Sequence, residues 1–196
     1  GMIMDANGLD LTDWRGDVAE KGKLTNLDEI IQFVKDEKPL NPIFVDCTAS
    51  YDLPNRYLDI LEAGMHIATP NKRANSMSMD FYHQLRKTAN RMHRRFLYET
   101  NVGAGLPIID TLQNLFKSGD KLTGFYGIMS GSLSYIFGRL DEGVSFSRAV
   151  IEAREKRYTE PDPRDDLAGL DVARKALIIA RESGISLELE DITMHN

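Results

Sequence analysis

The 196 residues hold one cysteine, Cys47, which rules out an intramolecular disulfide framework and fits a reducing compartment, the cytoplasm. The four histidines, His66, His83, His93 and His195, have no ligand-type spacing to one another or to Cys47, so no transition-metal motif is present. No apolar run approaches the ~20 residues a membrane span needs, and no secretory signal pattern opens the chain. Positive charge is in deficit, with 24 Lys and Arg against 30 Asp and Glu and a net charge of -6. A general attraction to nucleic acid or to an anionic membrane is thereby excluded. The one basic cluster, Arg86, Lys87, Arg91, Arg94 and Arg95, reads as a solvated helix face. No glycine triplet of the form G-x-G-x-x-G occurs, and there is no repeat or low-complexity tract.

With 42% hydrophobic and 28% charged residues the composition is that of a globular protein able to bury a real core. Asn26 or Thr25 is placed to cap a helix carrying Leu27, Ile30, Ile31 and Val34. Pro39 and Pro42 end it before a buried-type strand, Ile43 to Thr48. Asp52 then caps a helix with Pro54 in its first turn and Gly64 at its end. A strand at His66–Thr69, a helix near Met77–Met92 and a strand at Phe96–Glu99 follow. Strand, helix, strand, helix, strand with short links predicts a parallel α/β sheet, whose ligands gather at the carboxyl ends of the strands. Thr48, Asn71, Lys72 and the Glu99–Leu106 loop all fall there. Local turn chemistry accounts equally well for Thr48 and Asn71, and Cys47 reads as a small buried apolar residue. Beyond that loop the pattern predicts a helix over Pro107–Lys117, strand character over Lys121–Met129, a helix over Ser132–Leu140, a helix capped by Ser145, and an alternating strand over Leu187–Ile192.

The densest chemistry lies in Tyr158–Lys175, where Glu160, Asp162, Asp165, Asp166, Asp171 and Lys175 surround a boundary forced by Pro161 and Pro163. Asp165 or Asp166 is expected to cap a helix running to Gly184. Asp171 and Lys175 then stand one turn apart on a charged strip between apolar stripes, as on a cleft wall. Glu182 falls on the same strip, while Arg174 and Arg181 occupy the sector expected to face solvent.

This stretch resembles the substrate-binding signature of homoserine dehydrogenases. The likeness extends over most of the chain, through Asp46-Cys47-Thr48, Thr69-Pro70-Asn71-Lys72, Glu99 to Pro107 and Gly127 to Ile136, and is greatest to the dehydrogenase part of bifunctional aspartokinase/homoserine dehydrogenases. It implies a partial Rossmann-type parallel sheet lacking its first βαβ unit (residues 1–103, the later part of an NAD(P)-binding domain), followed by an α+β substrate-binding and dimerisation region (104–196). The implied activity interconverts L-homoserine and L-aspartate 4-semialdehyde with NADP, or NAD, as cofactor, in threonine and methionine biosynthesis. Implied partners are a second copy of the chain, in a homodimer or larger assembly, and an aspartokinase domain on the parent polypeptide.

By the same resemblance Lys175 is the leading proton donor or acceptor, and Lys72 contacts substrate and cofactor. Glu160, Asp171 and Asp166 bind substrate; Thr48, Asn71, Lys72 and Glu160 face the cofactor. Glu99, Val102, Ala104 and Leu106 hold a monovalent cation such as Na+. The family usually carries glycine directly before Tyr158, where this chain has Arg157; if that position needs a positive φ or close approach to the cofactor, arginine costs stability or weakens binding there. Without its pyrophosphate cradle the chain alone is expected to be inactive. Two rivals stand beside this: a non-catalytic dimerisation or amino-acid-binding module, and a semialdehyde dehydrogenase using Cys47 as nucleophile.

Overall fold

Three short parallel strands carry the first part of the chain in a computed structural model that describes residues 1–159 and 163–194, without the side chains of Pro163 and Asp165. They are β1 (Ile43–Val45), β2 (His66–Ala68) and β3 (Phe96–Leu97), in the order β1-β2-β3. Ile43 pairs with His66, and Ile67 with Phe96. The α/β expectation holds, with two differences. β1 ends at Val45 rather than Thr48, and it is not a buried-type strand: Ile43 and Val45 are 62% and 61% exposed. Among the described residues β1 pairs on one side only, so it lies at the sheet edge. Cys47, beyond it, is exposed rather than buried.

The chain forms two compact units. The first comprises residues 1–46, 50–68 and 84–97; the second comprises 47–49, 69–83 and 98–196. In the first, α1 (Trp14–Lys21) and α2 (Leu27–Glu37) precede the sheet. Asn26 caps α2 as expected, its side-chain oxygen accepting from the N–H groups of Asp28 and Glu29. A 3-10 turn (Leu53–Arg56) leads into α3 (Tyr57–Glu62). Ser50, not Asp52, closes that entry, its hydroxyl accepting from Asp52 and Leu53. The core collects Tyr57, Ile60 and Leu61 from α3, Ile67 from β2 and Leu85 from α5 (Met79–Arg91), all fully buried. Each such apolar side chain contributes about 1.5–3 kcal/mol. The Tyr57 hydroxyl donates to the buried Asp46 carboxylate at 2.5 Å, which satisfies both polar groups inside that core.

The second unit is helical: α4 (Arg73–Ser76), α6 (Ile108–Lys117), α7 (Gly131–Asp141), α8 (Phe146–Glu155), α9 (Pro163–Leu167) and α10 (Leu170–Glu182). The buried Ile136 of α7 packs on Ala149 and Ala153 of α8, small residues that let the helices approach closely, with Leu167 of α9 beside them. Three expectations fail here. Lys121–Met129 has no regular structure, because no strand among the described residues lies alongside to accept its hydrogen bonds; Tyr126 and Ile128 are 100% and 86% exposed. Leu187–Ile192 holds only a 3-10 turn, Leu189–Asp191, closed by reciprocal bonds between Glu188 and Asp191. The long helix starting at Asp165 or Asp166 is in fact two. α9 starts at Pro163, which lacks only a donor the first turn cannot use. Gly169, at φ 70°, then breaks the run and caps α10.

Arg181 also departs from expectation. Its side chain is completely buried, not solvated. The guanidinium donates to the carbonyls of Asn75, Met77 and Leu187 and pairs with Glu188 at 2.8 Å, so all that burial is compensated by acceptors. Glu182 beside it accepts from the Tyr82 and Tyr98 hydroxyls and from Gln113, tying α10 to α6.

Candidate active site

An open cleft of about 580 Å³ in the second unit is lined by charged and hydroxyl side chains from α7, α9, α10, the turn before α4 and the segment after α8. Its floor is an ion-pair array. Asp171, in the first turn of α10, takes Lys175 at 2.6 Å on one carboxylate oxygen and Lys72 at 3.1 Å on the other. Lys175 also donates to the Met129 carbonyl at 2.6 Å. Helical spacing brings Lys175 over Asp171, while Lys72 arrives from the turn before α4, so residues about one hundred positions apart share one carboxylate. Side-chain exposures of 22%, 20% and 15% for Lys72, Asp171 and Lys175 make these shielded yet accessible pairs. Burial alone would raise the Asp171 carboxyl; the hydrogen bond from Lys175 and the charges of both lysines outweigh it and hold the group below the ordinary carboxylate range.

Asp166 sits on the other wall as the end of a hydroxyl chain. Ser132 donates to Asp166 at 2.7 Å, and the Ser130 and Ser132 hydroxyls lie 2.9 Å apart. All three are buried. Ser130 also accepts from the Leu133 N–H and so caps α7, which fixes the chain to the helix start. Thus Asp166 is a cleft residue within α9 rather than a helix cap. Ser130 and Ser132 had no role assigned from sequence; the cap pattern Ser-Gly-Ser before an apolar helix was the available signal.

The expected residues divide. Lys72, Asp166, Asp171 and Lys175 come together, while Glu160 lies outside the described residues. Thr48 is exposed, and Asn71 is buried in a local turn, its N–H donating to the Thr69 hydroxyl and its side chain accepting from Arg73; neither lines the cleft. Cys47 does not line it either. Glu99, Val102, Ala104 and Leu106 form a separate tight turn. Its carboxylate is already engaged, Glu99 accepting from the N–H groups of Ile109 and Asp110 at 2.8 and 2.9 Å and so capping α6. Gly103 and Ala104 are consecutive left-handed residues, at φ 81° and 52°. Among the described residues no three His, Cys, Asp or Glu side chains group as metal ligands, and no helix is long and apolar enough to cross a membrane.

A parallel strand–helix sheet with polar loops at its carboxyl ends, followed by helices bearing a lysine–carboxylate cleft, is an α/β architecture of the Rossmann type. Residues 1–99 match the family model "Homoserine dehydrogenase, NAD binding domain", and residues 107–196 match "Homoserine dehydrogenase". The chain belongs to the homoserine dehydrogenase family. It is 52% identical over 191 residues to a bifunctional aspartokinase/homoserine dehydrogenase of Haemophilus influenzae, covering 97% of this chain and 23% of that polypeptide. It is 40% identical over 189 residues to a homoserine dehydrogenase of Schizosaccharomyces pombe, covering 94% of this chain and 50% of that one. The crystal structure of the Thermoplasma acidophilum homoserine dehydrogenase superposes with a TM-score of 0.74 at 27% identity, covering 94% of this chain and 58% of that one. The chain therefore spans roughly a quarter of the length of its bifunctional relative.

Proposed function

We propose that this chain forms the substrate-handling part, and some of the cofactor-facing part, of an NADP-dependent homoserine dehydrogenase that interconverts L-homoserine and L-aspartate 4-semialdehyde. The observation that carries this is the Lys72–Asp171–Lys175 array in an open cleft. Oxidising an amino alcohol needs an anion for its ammonium and a base for its hydroxyl proton. Asp171 supplies the anion and Lys175 the base. A substrate ammonium reaching Asp171 competes with both lysines for the carboxylate. That loosens the Asp171–Lys175 ion pair, while the Met129 carbonyl still holds the lysine in place beside the substrate. Lys175, as the amine, takes the hydroxyl proton, and returns it in the reverse direction. Lys72 orients the substrate from the opposite side of Asp171. Asp166, braced by Ser132, fixes the far wall.

The lining fits a ligand bearing both an amine and oxyanions, since Lys72, Lys175 and Arg157 stand beside two carboxylates and the Thr159 hydroxyl is buried without a partner among the described residues. When bound, the nicotinamide cofactor supplies hydride exchange at the carbinol carbon, and all proton handling falls to the chain's own residues. We place a monovalent cation on backbone oxygens of the Glu99–Leu106 turn, supported by its tight left-handed geometry. We extend the relatives' bifunctional architecture to an aspartokinase domain on the parent polypeptide, and homodimers to its assembly. The test is Lys175→Ala in the full-length polypeptide. Turnover is expected to fall by roughly 10² to 10⁴ with the KM for L-homoserine little changed. Turnover kept within about fivefold would remove Lys175 as the base and point to Lys72.

A further inference from the structure

Two donors at the cleft have no acceptor. Arg157 is exposed and lines it, yet its guanidinium makes no hydrogen bond or ion pair among the described residues. Two positions on, the Thr159 hydroxyl is buried with no partner among the described residues. The backbone between α8 and these side chains is costly as well. Arg157 sits at φ 58°, the left-handed residue of a helix-terminating motif in which its N–H donates to Arg154 and that of Tyr158 to Ala153. Glycine would relax that position. An arginine held where glycine fits better is a strained residue at a functional cleft.

The charges of the cleft complete the case. Lys72, Lys175 and Arg157 face Asp166 and Asp171. Three cations thus face two carboxylates among the described residues, and Arg157 is the cation that has no ion pair there. We propose that Arg157 and Thr159 form an oxyanion-binding edge of the cleft that fixes a carboxylate or phosphate of the bound ligand. The planar guanidinium fork suits either group in a bidentate pair, and the threonine hydroxyl adds a third donor. This rests on the reading of the cleft as the homoserine site. The oxyanion then has two sources, the substrate's α-carboxylate or a phosphate of the dinucleotide.

The experiment uses the full-length polypeptide with Arg157→Met, Arg157→Lys and Thr159→Val, and measures KM and kcat for L-homoserine, for 3-aminopropan-1-ol, which lacks the carboxylate, and for NADP and NAD. Arg157→Met is expected to raise the KM of one anionic ligand roughly tenfold or more, with a smaller change in kcat, and Arg157→Lys to recover part of it. A rise for L-homoserine but not for 3-aminopropan-1-ol assigns the carboxylate. A rise for the dinucleotide assigns its phosphate. All KM values within twofold of the wild type would overturn the proposal. A wild-type polypeptide that fails to oxidise L-homoserine would sink the functional reading instead. The edge is then tested directly by the Arg157 Nε–H resonance on adding sodium phosphate: a saturable shift supports it, and an unmoved resonance overturns it.

Discussion

Asp171→Asn isolates the ion-pair array with almost no change of volume. In the wild type one carboxylate pairs with two ammonium groups, at 2.6 and 3.1 Å. The amide keeps an acceptor oxygen but removes the charge, leaving Lys72 and Lys175 to face each other in a cleft where about a fifth of each side chain is exposed. Breaking a fully buried pair costs about 3–5 kcal/mol, and an exposed one about 0–1 kcal/mol. Side chains four-fifths shielded fall between, at about 2 kcal/mol. For a chain of this length that corresponds to a fall in Tm of roughly 4–8 °C, read in the transition of the unit that carries α10. The pH dependence supplies the sign. The Asp171 carboxyl titrates below its ordinary value of 3.8, so its stabilisation is fully present above that value and is lost as pH falls through the lower folded one. Urea unfolding at pH 7 and at pH 3 therefore checks both halves: the gap between wild type and Asp171→Asn is about 2 kcal/mol at neutral pH and narrows in acid. A gap under about 0.5 kcal/mol at pH 7, or one that persists undiminished at pH 3, would refute the account of the array.

Two further outcomes are expected. Arg181→Met removes the guanidinium that the Asn75, Met77 and Leu187 carbonyls share, and should destabilise the second unit by about 3–5 kcal/mol or prevent its folding, measured by urea denaturation and amide exchange. Cys47, being exposed, should react with a thiol reagent in the native state while homoserine oxidation by the parent polypeptide survives. Loss of activity in step with alkylation would revive Cys47 as a nucleophile.

What the sequence made legible was set by local rules. Asn26 caps α2 because an Asx side chain before an apolar-periodic run has few other uses. The alternation of strands and helices needed only hydrophobic period and proline punctuation. Misreadings came where a partner remote in sequence decides the outcome. Lys121–Met129 has strand-forming residues, but a strand exists only against a neighbour. Glu99 caps a helix that begins nine residues later, a contact no short window shows. Arg181 falls on the polar face of a helical wheel, and its burial depends on carbonyls near residue 75 that helical period cannot see. Arg157 is the opposite case: a departure from a glycine position left a positive φ and close approach to a cofactor as alternatives, and φ is 58°.

The break at Gly169 shows why a helical wheel located half of the site. In one continuous helix Asp166 and Asp171, five residues apart, would be separated by about 500°, or 140° of arc, and could not serve one cleft wall. The wheel accordingly put Asp171 with Lys175 and left Asp166 to a capping role. Gly169 takes a left-handed conformation that an L side chain adopts only under strain. The turn it makes ends α9, restarts the chain as α10 and separates the orientation of the two carboxylates from helical phase. Asp166 is then free to meet Ser132 at the start of α7, while Asp171 keeps its helical register with Lys175 and meets Lys72 from the other side. Two acidic residues with different partners, one held by a hydroxyl and one by two ammonium groups, thus line a single cleft. That division leaves Asp171, whose carboxylate already binds cations, as the group an incoming ammonium would contest, and Asp166 as the fixed wall.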